Sequence, residues 1–502
     1  MTGSAVLKKT NHFIGGRTVS AKTYTLPVYD PSNGEQVAIT PIGDDKIIAQ
    51  AANSARHAFP AWSAIQPAKR GRIMQAYHSL VAANSDEICS IITKEHGKTM
   101  EDAKGELGRG LENIEYACGI SEHLKGEHSK SVGPDIDSWS EFAPLGICLG
   151  ITPFNFPAMV PLWMFPLAVA CGNTFILKPS EKVPSTSLRL AELFHEAGLP
   201  AGVLNVVQGD STTADKLMRC PEISAVSFVG STPAARAIYS VSSASGKRVQ
   251  ALGGAKNHAI VLPDADLEMA SNAIMGAAYG SCGQRCMALS VVVTVGQETS
   301  DQLANTLANK VARLTIGPGR QNLDMGPVNS AVQLDKILAL VESGVSEGAD
   351  LLVDGRLNNC CHQPGYFLGG CLFDNVKTGM RIYQEEIFGP VLCLIRAETA
   401  SEALEIVNGN QYGNGTSIFT RDGHAARQFA SGVQAGMVGI NVPLPVPAAN
   451  HSFGGWKDSR YGDLAAYGPD GMRFYTRRKT ITERWLSSDE QTQIDFSFPG
   501  GK

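Results

Sequence analysis

The sequence has no surplus of positive charge: 43 Lys and Arg stand against 48 Asp and Glu, for a formal net charge of -5. Nothing in that balance favours a phosphate backbone, so nucleic acid is not expected as a partner. Cys-x-x-Cys pairs and zinc-finger spacings are also missing, and the 11 cysteines are an odd number scattered from Cys89 to Cys393. Neither a disulfide framework nor a structural metal is expected, and a reducing cytoplasm is the expected compartment. The opening MTGSAVLKKTNHFIGG has no continuous apolar stretch of the secretory kind and is poor in Arg, so no targeting segment is expected. The most apolar window, residues 156 to 177, approaches membrane-spanning length but is broken by Pro157, Pro161 and Pro166 and holds Asn173. A buried helix and strand are expected there, with no membrane partner. Internal repeats and low-complexity tracts are absent as well.

What is present fits a compact, loop-rich globular chain. With 502 residues, 43% of them hydrophobic, it exceeds the length at which one core stops growing (about 250 to 300 residues), so two or more domains are expected. Residues 45 to 125 show apolar residues three or four apart, as at Leu107, Leu111, Ile114 and Cys118, which predicts helices. From 146 onward short β-rich runs alternate with amphipathic stretches: GICLGIT, NTFILKP, GVLNVVQG, AVSFVGS and KRVQALGG, then a second series opening with HAIVLPDADL and LSVVVTVG. That rhythm predicts α/β architecture with two parallel, Rossmann-like sheets. Residues 1–126 and 146–257 form the expected first domain, and 258–448 the second. Residues 127–145 and 470–490 fit neither series and are expected to be strands of a projecting arm, whose open edge would pair with another copy of the chain.

Five segments carry possible chemistry. The loop GSCGQRCMAL at 280 to 289 places Cys286 after Arg285, and a cation beside a thiol lowers its pKa toward the nucleophilic thiolate. Taken alone, the loop reads more readily as a buried structural cysteine, and Cys282, four residues earlier, has no His or second pair with which to hold a metal. ITPFNFP at 151 to 157 sets Asn155 in a rigid turn, either as an oxyanion donor or as an amide serving its own turn. ILKPSEK at 176 to 182 ends a strand in Lys178, followed by Glu181 and Lys182, a place where α/β sheets bind nucleotides or a solvated charge cluster. In FVGSTPAARAI, Gly230 and Ser231 lead into a helix whose N–H groups suit a phosphate, although the run is not Gly-x-Gly-x-x-Gly and an ordinary capped helix would look the same. In YQEEIFGPVL, Glu385 and Glu386 precede Phe388, either to hold a ribose or to face water.

In this order and spacing the segments together resemble the aldehyde dehydrogenase superfamily across nearly the whole chain. The resemblance implies Cys286 as nucleophile, Asn155 as oxyanion donor, and a nicotinamide dinucleotide, NAD, bound by Lys178, Glu386 and Phe388. It extends the cofactor contacts to Thr152, Phe154, Glu181, Lys182, Gly209, Gly230, Ser231 and Gly253. Where most of that family carries Glu-Leu-Gly-Gly-Lys, with the Glu as general base for hydrolysis, this chain has Ala251-Leu252-Gly253-Gly254-Ala255-Lys256. Losing such a base removes a contribution of about 10²- to 10⁴-fold, whereas a thiol acceptor is already partly ionised near neutrality. The missing base, the run Gly-Ala-Lys-Asn-His at 254 to 258 and HSFGGWKDSRYGD at 451 to 463 look like the coenzyme A-acylating methylmalonate-semialdehyde dehydrogenase branch. That likeness implies coenzyme A as co-substrate, Arg109 and Arg285 as partners of a substrate carboxylate, and a dimer or tetramer. The alternatives are a hydrolytic aldehyde dehydrogenase using another base, and a catalytically silent relative that keeps the fold.

Overall fold

The computed structural model describes residues 7–485. Five fully buried residues form the strand Ile147–Ile151 and five more form Thr174–Lys178. Continuous apolar runs of this kind arise when a parallel strand is covered on both faces. Successive side chains then serve opposite layers: Ile147, Leu149 and Ile151 join one core cluster while Cys148 joins the other. In space the sheet runs Arg460–Tyr461, Arg248–Leu252, Ile223–Val229, Ile147–Ile151, Thr174–Lys178, Leu204–Val206, His12–Ile14 and Arg17–Val19. The five central strands are parallel, and the flanking segments are antiparallel. After Ile147–Ile151 the chain builds outward on one side and then returns to the other with Ile223–Val229. A crevice opens where strand order reverses in this way, at the carboxyl ends of those two strands.

The second sheet runs Asp350–Val353, Cys371–Asp374, Val391–Ala397, Leu289–Val295, Asn257–Val261, Gly415–Phe419 and Met437–Ile440. All its pairings are parallel except the one at the Asp350–Val353 edge. The apolar window forms the helix Met159–Ala170, with all its residues buried, followed by Thr174–Lys178, as the interrupting prolines suggested.

Two expectations need adjusting. The first domain is not led in by helices alone, because five short strands lie between Lys8 and Pro41 before the helix Asp45–Ser63. These strands are two to six residues long, too short for alternation to stand out. Within the 470–490 segment, the helix Gly468–Phe474 comes first and the strand is Thr476–Arg484; residues 486–490 lie outside the described residues. That strand pairs antiparallel with Ile136–Pro144 over nine residue pairs, and His128–Gly133 completes a three-stranded sheet whose two outer strands are mostly solvent-facing.

Candidate active site

The loop that carries Cys286 begins where the helix Leu267–Tyr279 ends, in a tight turn with Ser281 at φ 53° and Cys282 at φ 55°. Side chains with a Cβ disfavour that left-handed region, so such a turn persists only where its surroundings hold it. Asp102, from the helix Met100–Cys118, accepts the Ser281 N–H at 2.9 Å. Further on, the Cys286 carbonyl accepts from Asn257 Nδ2 at 2.9 Å and from Asn414 Nδ2 at 3.1 Å. Asn257 also donates to the Ala288 carbonyl and accepts from the Gly415 N–H. Asn257 opens one strand and Asn414 precedes the next, so the loop is fixed to the amino ends of the second sheet.

Asn155 faces that loop from the first sheet, beyond the carboxyl end of Ile147–Ile151. Its Nδ2 donates to the Gln284 carbonyl at 3.1 Å, leaving a second N–H of the amide for a ligand. Its own carbonyl accepts from Lys98 Nζ at 2.7 Å, and Lys98 pairs with Glu106 at 2.7 Å, both side chains being essentially inaccessible to solvent. Glu106 accepts in turn from the Ala158 and Met159 N–H groups at the start of Met159–Ala170. A buried charge pair therefore holds the Asn155 turn from beneath.

Two cavities meet at Cys286. A groove of about 460 Å³ is lined by Phe154, Asn155, Gly230, Ser231, Gly253, Cys286, Glu386 and Phe388, among others. It lies at the strand-order reversal, with the uncapped start of the helix Thr232–Ala244 on one wall. Gly254 is what lets Glu386 reach it: a Cβ there would stand 2.6 Å from Glu386 Oε2. Glu386 Oε1 accepts the Ala255 N–H at 3.0 Å, and the Phe154 and Phe388 rings meet edge to face at 5.9 Å. An extended dinucleotide fits this set: backbone N–H groups for phosphates, a carboxylate for a ribose and two rings beside the reacting end. The second cavity, about 160 Å³, is lined by Arg109, Arg285, Asp102, Cys286, Trp163 and Phe453 among others. Arg109 donates to Glu112 and to the carbonyls of Val446 and Pro447; Arg285 pairs with Asp102.

Electrostatics reverse one sequence expectation. Arg285 does not leave Cys286 with a lowered pKa; the thiol is pushed up to about 12, chiefly by burial and next by the Glu386 carboxylate. The Cys286 and Met287 backbone N–H groups and Arg285 act the other way and are outweighed. Burial likewise raises Glu386 to about 7, against the Ala255 N–H and Lys256.

Of the residues singled out from the sequence, Phe154, Asn155, Gly230, Ser231, Gly253, Cys286, Glu386 and Phe388 line the groove, and Arg109 and Arg285 share the smaller cavity with Cys286. Thr152, Lys178, Glu181, Lys182 and Gly209 line neither. Lys178 is paired with Glu181 at 3.5 Å, Lys182 Nζ stands over the Phe154 ring at 4.7 Å, and Gly209 packs against Thr213. Lys98, Asp102, Glu106, Asn257 and Asn414 escaped the sequence reading. Asp102 and Glu106 carried a signal, since they precede Arg109 by seven and three residues on one helix and so share its face.

The aldehyde dehydrogenase family profile matches residues 18–481. The chain belongs to the aldehyde dehydrogenase family. It is 56% identical over 491 residues to a malonate-semialdehyde dehydrogenase of Pseudomonas aeruginosa, covering 97% of this chain and 99% of that one. Among solved structures it resembles a methylmalonate-semialdehyde dehydrogenase from Oceanimonas doudoroffii at 53% identity and TM-score 0.95, over 96% of this chain and 99% of the other. A structure from Sinorhizobium meliloti assigned to the same activity and complexed with NAD is similar at 49% identity and TM-score 0.95, over 97% and 100% of the two chains.

Proposed function

We propose that this protein oxidises malonate semialdehyde and its methyl homologue with NAD and coenzyme A, losing carbon dioxide and yielding acetyl-CoA or propanoyl-CoA. The observation that carries the reading is the pair of guanidiniums, Arg109 and Arg285, in one small cavity with Cys286. Guanidinium is suited to a carboxylate because it offers parallel donors, so the arrangement fits an aldehyde that also bears an acid group. The names and high identity of the relatives support the same substrate class.

Cys286 gives up its thiol proton to water, Sγ attacks the aldehyde carbon, and the carbonyl oxygen becomes an oxyanion near the free N–H of Asn155 and the Cys286 backbone N–H. NAD, when bound, supplies the acceptor for the hydride leaving that carbon. Phe154, Gly230, Ser231, Gly253, Glu386 and Phe388 are the residues in place to hold it along the groove, with Lys182 Nζ standing over the Phe154 ring. What remains on Cys286 is a thioester β to a carboxylate. Breaking the bond to that carboxylate releases carbon dioxide and leaves an enolate, which the same donors stabilise until carbon is protonated. The thiolate of coenzyme A then attacks the thioester and Cys286 departs.

Ala251 is fully buried in its strand and has no group to take a proton from water. One observation favours a hydrolytic second reading: Glu386, at about 7, lines the groove beside Cys286 and is poised to act as a base. NADH formation from both semialdehydes, with and without coenzyme A and with Cys286→Ala as control, separates them. Sustained turnover only with coenzyme A is expected; full turnover without it overturns the acylating reading. Assembly into a dimer or tetramer through the three-stranded sheet is part of the proposal, supported by its solvent-facing strands. So is a cytoplasmic location, in keeping with cysteines that are all free. Among the described residues no helix is long and apolar enough to cross a membrane.

A further inference from the structure

Arg285 and Arg109 are held very differently. Arg109 donates to both oxygens of Glu112 and to two backbone carbonyls, so most of its donors are occupied. Among the described residues Arg285 has only two acceptors, Asp102 Oδ1 and, at 3.4 Å, the Gly276 carbonyl. Its guanidinium lies against bare Gly280, where a Cβ would stand 2.6 Å from Nη1. It lines the cavity it shares with Cys286, and its remaining N–H groups have no acceptor among the described residues. The other oxygen of Asp102 accepts the Ser281 N–H, in the left-handed turn that starts the nucleophile loop. One carboxylate, with a side chain 17% exposed, thus holds both the anion-reading arginine and the entry to the nucleophile loop.

We infer that Asp102 is a positioning residue that sets this enzyme's preference for carboxylate-bearing substrates, by aiming Arg285 into the Cys286 cavity and fixing the Ser281 turn. The inference deepens the semialdehyde reading above and rests on it for the natural substrate, although the anion recognition it describes belongs to the cavity itself. Two effects of Asp102 on an incoming carboxylate oppose each other. Its negative charge repels the anion, while its hydrogen bond keeps Arg285 from turning to solvent. The second wins because Arg285 has no other close acceptor, and a cation that swings away contributes no directed hydrogen bond. Asparagine cannot replace it, since an amide offers one acceptor where the carboxylate serves two donors.

The test compares alkylation of Cys286 by iodoacetate and by neutral iodoacetamide, read on the Cys286 peptide by mass spectrometry. In the unmodified protein the iodoacetate-to-iodoacetamide rate ratio exceeds that of free cysteine in the same buffer. Asp102→Asn lowers the ratio at least about tenfold, the usual scale of a lost hydrogen bond between charged groups, and Arg285→Gln sets the floor. Asp102→Ser, which adds no bulk, is the second variant should the first fail to fold, and unchanged melting confirms that the fold survives. A ratio in Asp102→Asn equal to that of the parent overturns the inference, as does a ratio that Arg285→Gln leaves unchanged. Steady-state kinetics add a second readout: the KM for malonate semialdehyde rises more than kcat falls, and more than the KM for propanal. If the alkylation ratio falls as stated while the parent makes no NADH from either semialdehyde, the substrate assignment fails and the role of Asp102 stands.

Discussion

Replacing Lys98 by Met breaks the buried pair beneath Asn155, and the structure fixes what that should cost. Lys98 gives up hydrogen bonds to Glu106 and to the Asn155 carbonyl, both at 2.7 Å, and its position over the Phe156 ring, 4.4 Å from the centroid. Breaking a buried ion pair by removing one partner typically costs about 3 to 5 kcal/mol, because the other charge is left uncompensated. Glu106 keeps the Ala158 and Met159 N–H groups, so the low end, about 3 kcal/mol, is expected here. Glu106→Gln costs a similar amount by stranding the ammonium. The double variant, neutral on both sides, costs less than the sum of the singles, with a coupling of at least about 2 kcal/mol. Denaturant unfolding of the four proteins at one fixed concentration, followed by tryptophan fluorescence, measures the cycle. Activity gives the second arm: with its carbonyl released, Asn155 no longer holds its amide in place, and kcat in Lys98→Met falls at least about tenfold. Strict additivity of the two single costs, or a Lys98→Met protein with parental kcat, refutes the claim that this pair supports the Asn155 turn.

Cys286 at about 12 predicts that, without ligands, its alkylation by iodoacetamide climbs about tenfold per pH unit from pH 7 to 10, whereas an ordinary thiol levels off near pH 9. Glu386→Gln keeps an acceptor for the Ala255 N–H but removes the charge that disfavours the thiolate, so the profile moves to lower pH; an unmoved profile shows that burial acts alone. Gly254→Ala places a methyl against the Glu386 carboxylate, and the KM for NAD is expected to rise at least about fivefold, the lower end of an overpacking penalty of about 1 to 3 kcal/mol. An unchanged KM for NAD would place the cofactor elsewhere.

The α/β rhythm was legible because strands covered on both faces must be apolar throughout, which marks Ile147–Ile151 and Thr174–Lys178 in any reading of the chain. The Cys286 loop, the Asn155 turn and the Glu386 segment were legible as motifs, since each is a run of neighbours. The first strands were not, because two- to six-residue segments carry too few alternations to register. Nor were the polar supports: Asn257 meets the Cys286 carbonyl across 29 positions, and Arg109 reaches the Val446 carbonyl across 337. Side-chain periodicity says which face of an element a residue occupies, not which distant loop meets that face. Only the folded chain decides that the carboxyl ends of one sheet face the amino ends of the other, with Cys286 between them. It also decides the state of that thiol. By sequence Cys286 has a cation for a neighbour, which by itself would lower its pKa; in three dimensions the thiol is partly buried and has gained Glu386, and desolvation with that carboxylate outweighs the adjacent charge.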